Sequence, residues 1–181
     1  MVETLKIIGL GVLAAVAYGI ALDNVTARVC VEYFTIGHPR IIASESPTDL
    51  AFAWGVVATW WVGLPLGILM AAVCRLGDKD PKLRAVHLLR PVGRLLATMA
   101  VIALVAGIVG FVLFSNAYRW VGPTAALVPV AKHPTFMADW FAHLASYGSA
   151  FLGGPILALW ASRSRVRNGK LAEPVPLSPL S

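Results

Sequence analysis

Lysine, arginine, aspartate and glutamate leave four long gaps in this chain. None falls between Lys6 and Asp23, between Asp49 and Arg75, between Arg94 and Arg119, or between Asp139 and Arg163. A bilayer's hydrocarbon, about 30 Å thick, needs about 20 apolar residues of helix at 1.5 Å rise each. The pattern predicts an all-α membrane protein with four transmembrane helices, at about residues 5–22, 50–74, 92–114 and 138–161. The remainder, residues 163–181, reads as a basic, proline-rich tail without order.

Only 13% of the 181 residues are charged, against about 25% in a soluble domain. The net charge of +6 does not point to nucleic acid, because the basic residues alternate between loops. Arg75, Lys79, Lys82, Arg84, Arg90 and Arg94 flank the second and third spans, and Arg163, Arg165, Arg167 and Lys170 follow the fourth. The other two loops hold Arg28 and Arg40, then Arg119 and Lys132. That alternation is the positive-inside signal and puts both termini in the cytoplasm. The expected partners are the lipid bilayer and other membrane helices, in a homo-oligomer or a complex. Cys30 and Cys74 fall on opposite sides, too far apart for a disulfide.

The first gap is short, so Lys6 must snorkel or the helix must run past Asp23. A cleaved signal ending near Ala15-Val16-Ala17 is the rival. Gly11, Ala15 and Gly19 favour a retained helix, since they form a small-residue ridge for close packing. The following stretch, Val25 to Thr35, is rich in β-branched residues and predicts a small β element in an ordered outer loop. Helical continuation is the alternative. In the second span, Gly63 and Gly67 bracket Pro65, where a kink is expected. Trp60 and Trp61 lie near mid-membrane and read as interior packing, or as lining for an apolar ligand or lipid. Pro91 is placed to open the third helix. Tyr118 and Trp120 are expected to anchor an interface.

Chemistry-bearing residues gather on the outer side. His38, His133, Asp139 and His143 are candidate ligands for zinc or another divalent metal. Asp139 and His143 share a helical face, although Asp139 can equally cap the fourth helix. No HExxH, GxSxG, GxGxxG or phosphate-loop motif occurs, and no catalytic residue can be named. The span centres carry no ionisable group, which argues against a proton or ion path.

The stretch from Tyr18-Gly19 through Asp23 and Val25-Thr26 to Glu32-Tyr33-Phe34-Thr35, followed by His38, resembles a segment of uncharacterised bacterial four-span membrane proteins. The resemblance implies a bacterial inner membrane, a retained first helix, and a functional surface at Asp23, Glu32, Tyr33, Phe34 and His38. It implies no activity. The leading expectation is a non-enzymatic subunit, scaffold or sensor. A metal-dependent membrane enzyme with an outer His/Asp site is the first alternative, and an oligomeric transporter is the second.

Overall fold

The structure, a computed structural model, describes residues 1–77, 81–116 and 127–172. Four helical units long and apolar enough to cross a membrane make up an all-α fold: Val2–Val29, Pro47–Arg75, Ala85–Ser115 and Val130–Arg167. The elements are α1 (Val2–Val29), α2 (Val31–Thr35), α3 (Pro47–Val57), α4 (Trp60–Arg75), α5 (Ala85–Asn116) and α6 (His133–Ala172). The protein is thus a small multi-span membrane protein. The turn at residues 78–80, the aromatic anchors Tyr118 and Trp120, and the tail from Glu173 lie outside the described residues.

No strand occurs among the described residues. The β element expected over Val25 to Thr35 is helix instead: α1 runs past Asp23 to Val29, and α2 follows. Two things outweigh the β-branched composition. Asp23, Thr26 and Ala27 continue the buried stripe of α1, and the hydroxyls of Thr26 and Thr35 bond back to the Leu22 and Val31 carbonyls. Cys30 alone is extended, at φ −150° and ψ 96°, and its thiol forms no disulfide. This single residue turns α2 away from α1.

The second span is broken upstream of Pro65. α4 passes continuously through that proline, while α3 stops at Val57 and α4 starts at Trp60. The Thr59 hydroxyl donates to the Gly55 carbonyl, and Tyr147 of α6 donates to the Ala58 carbonyl at 3.3 Å. A carbonyl freed in a low-dielectric region needs such a partner. Trp60 and Trp61 point out of the bundle, 47% and 55% exposed, so they are not interior packing.

The small-residue ridge is a packing surface. Gly11 lies against Gly63 and Gly67, and Gly19 against Gly55 and Thr59. Backbone therefore meets backbone along α1, α3 and α4, the close approach that small residues permit. α5 and α6 pair along their lengths. Pro91 lies inside α5, not at its start. The true start is Ala85, whose N–H donates to Glu3 of α1 at 3.2 Å, and His87 accepts from the Arg84 N–H at 3.1 Å. α6 starts at His133 and stays helical to Ala172, so the first part of the expected tail is helix. Its buried Arg165 donates to the Pro81 and Val73 carbonyls, fastening the loop after α4 to α6.

Two cores result. One, at the α2 end, gathers Ala27, Cys30, Phe34, Leu50, Val128 and Phe136. The other, at the far end, gathers Ile7, Met70, Cys74, Leu83, Leu88 and Ala161.

Candidate functional site

The α2 end carries the polar cluster that the sequence pointed to, but its partnerships differ from those expected. His143 bonds to Asp23 of α1, not to the Asp139 side chain. Its Nε2 is 2.9 Å from Asp23 Oδ1, and its Nδ1 is 2.7 Å from the Asp139 backbone oxygen. A carbonyl only accepts, so Nδ1 carries a hydrogen. One further proton then lies between Nε2 and Oδ1. Whichever atom holds it, the pair is neutral as a whole, which suits its near-complete burial.

Asp139 is not a helix cap. α6 begins six residues earlier, at His133, which places Asp139 in its interior at 1% exposure. The Cys30 backbone N–H faces its carboxyl, and Oδ2 has no hydrogen-bond partner. His133 spends Nε2 on the Val128 carbonyl at 3.0 Å, leaving Nδ1 unpaired. His38 spends Nδ1 on the Tyr33 carbonyl at 2.8 Å. No group of three or more His, Cys, Asp or Glu placed to hold a metal occurs among the described residues. His38, His133, Asp139 and His143 therefore do not assemble into a ligand set.

α2 does dock on α6, as the cost of an unpaired His and Asp near hydrocarbon suggests it should. Aromatic rings make the contact. Tyr33 stacks on His143 with centroids 4.7 Å apart and meets Phe136 edge-on at 5.4 Å. Phe34 lies 5.9 Å from His143. On its other side Tyr33 touches His38, whose ring also contacts Trp54 at 4.8 Å. Glu32 pairs with Lys132 at 3.2 Å and accepts from the Cys30 thiol at 3.4 Å. Those two contacts, with its backbone hydrogen bond, hold the Glu32 carboxyl below its usual range although burial opposes them. Burial pushes the Cys30 thiol up to about 11 and the Tyr33 hydroxyl higher still, so neither ionises at neutral pH.

Burial also lowers His38 below its ordinary value of 6.5. The unfolded chain then takes up a proton that the folded one resists, so stability is lost as pH falls through that value. Thermal melts in detergent should therefore show stability declining from pH 7 to pH 5. The decline should be shallower in His38→Phe, and equal slopes for the two proteins would contradict this.

Sequence reasoning missed three residues of this region. Tyr18 bonds Ser146 at 2.9 Å, and Ser146 in turn donates to the Ala142 carbonyl. Tyr147 closes the break between α3 and α4. Tyr18 stands in the stretch that carries the resemblance but with no role attached, and a serine or tyrosine within an apolar run is ordinary by composition, so nothing local marked Ser146 and Tyr147. Between the two cores lies a cavity of about 140 Å³, with this polar cluster at one end. No family model matches the chain, and no curated protein or solved structure matches it.

Proposed function

We propose that this is a bacterial inner-membrane protein with both termini cytoplasmic, acting as a non-enzymatic subunit, scaffold or sensor. The observation that supports the reading is how the outer His and Asp groups are used. His143, His38 and His133 each bind a backbone carbonyl, and His143 also binds Asp23. The Asp23 bond ties α1 to α6, and the others fasten neighbouring backbone within α6, at its start and after α2. Among the described residues no group of three or more His, Cys, Asp or Glu is placed to hold a metal. The resemblance of the Tyr18 to His38 stretch to bacterial proteins and the alternation of basic loops support the setting and the orientation.

Reporter fusions at Gly169 and near Asp80 are expected to read cytoplasmic, and fusions near Ser44 and Pro129 to read outside. An outward signal at Gly169 would overturn the orientation. For the role itself, the protein purified in mild detergent should retain a partner or self-associate, and should carry no stoichiometric metal. A lone monomer containing one zinc would favour the metal-enzyme alternative, and ion flux in liposomes would favour the transporter.

A further inference from the structure

The cavity between the two cores is elongated. Along α1 its lining runs from Ile7 to Asp23, about 24 Å of helix at 1.5 Å per residue. Its volume of about 140 Å³ is spread along that length, so the bore is narrow. A space so long and so small admits one chain, not two. Most of its wall is aliphatic, including Met70, Leu88, Leu95 and Met99. The break at Ala58–Thr59 lies on the same wall, and interrupted spans characteristically line such spaces.

The other end is polar, and part of its hydrogen-bonding capacity is unspent. Asp23 is 4% exposed, lines the cavity, and uses only Oδ1. His38 and Tyr33 line it too. His38 donates through Nδ1, so its Nε2 offers a lone pair. Asp23 Oδ2, His38 Nε2 and the Tyr33 hydroxyl make no hydrogen bond among the described residues. Tyr18, Thr59 and Tyr147, in contrast, have committed their hydroxyl hydrogens. No lysine or arginine lines the space.

We infer that this cavity binds a single-chain bilayer lipid whose head is a neutral hydroxyl, the head at Asp23, His38 and Tyr33 and the tail between α1, α4 and α5. A hydroxyl both donates and accepts. It can give its hydrogen to Asp23 or His38 while taking one from Tyr33. A carbonyl head only accepts and leaves two of the three groups unmet. A carboxylate or phosphate would add a net negative charge beside a pair that is neutral as a whole, with no lysine or arginine in the lining to offset it. Isoprenoid alcohols and quinols share the required chemistry. The inference holds whether the protein acts alone or in a complex.

The test uses the full-length protein in nanodiscs and a photoreactive hexadecanol, with crosslinked peptides located by mass spectrometry. Labelling is expected on the α1 and α4 cavity residues. Unlabelled hexadecanol should compete at least tenfold better than hexadecanal or palmitate, since one hydrogen bond of ordinary strength is about tenfold in affinity. Farnesol and decylubiquinol then show which source of hydroxyl is preferred. His38→Phe keeps the ring and removes the acceptor, and should weaken the alcohol about tenfold while leaving the aldehyde unchanged. Ala150→Phe, which fills the cavity from α6, should abolish labelling while the protein still elutes as the native species. Equal competition by alcohol and palmitate overturns the inference, as does labelling confined to the outer helix faces. The competition arm needs only the native protein, so a variant that does not fold leaves the inference decidable.

Discussion

Gly63→Leu is expected to prevent folding, the largest effect of any single substitution considered. A Cβ there would lie 2.6 Å from the Gly11 carbonyl oxygen and 2.8 Å from the Val12 Cα. Both are backbone atoms of the opposing helix, so no side chain can swing aside. Overpacking costs about 1–3 kcal/mol when neighbours can rearrange. Here α1 and α4 would have to part along the whole ridge, losing also the fit of Gly11 on Gly67, against a total stability of about 5–15 kcal/mol. Gly9→Leu and Gly148→Leu are the controls, because a Cβ at either meets nothing within 4 Å. Detergent melts should show the controls near native and Gly63→Leu without a folded transition. A native-like melt for Gly63→Leu would mean that the two helices do not pack as described.

His143→Ala is expected to cost about 3–5 kcal/mol, the range for breaking one member of a buried pair. The loss has three parts. Asp23 keeps a buried carboxyl with no partner, the Asp139 carbonyl loses its donor, and Tyr33 loses the ring it stacks on. Asp23→Asn keeps the shape and a hydrogen-bonding group and should cost less, about 1–3 kcal/mol. The double variant Asp23→Leu/His143→Leu should recover much of the loss, since an apolar pair avoids the desolvation cost altogether. Equilibrium unfolding of Asp23→Leu, His143→Leu and their double measures the coupling directly. Strict additivity would show that the pair is not one unit. Metal content should be the same in all of these proteins; zinc present in the native protein and absent in His143→Ala would make the pair a metal site.

The four spans were legible because hydrocarbon excludes charge, and the charge gaps mark where it does. The ridge at Gly11, Ala15 and Gly19 was legible because small residues recurring every turn have little other use on an apolar helix. The far end of α1 was not. Thr26 and Val29 favour strands when isolated, but here they extend a helix whose buried stripe is already set. The break at Thr59 was hidden as well, since Pro65 carried the stronger local signal while the actual discontinuity is stabilised by Tyr147, 89 residues away. The site shows the same limit. Asp23, Tyr33, His38 and His143 were all named from the sequence, yet their pairing was not. The partner of His143 lies 120 positions earlier in the chain, and spacing within one helix made Asp139 look closer in chemistry than it is.

That separation bears on how the protein is made. Ribosomes deliver α1 first and α6 last, and Asp23 travels with α1. Until α6 arrives, a carboxyl is held in the bilayer with no counterpart, while the ridge has already joined α1 to α3 and α4. A chain truncated after α5 keeps the packing of α1 on α3 and α4 but loses the partner of α5 and leaves Asp23 without its counterpart. The final helix closes that fault, so the Asp23 carboxyl gains its partner only when the chain is complete to α6.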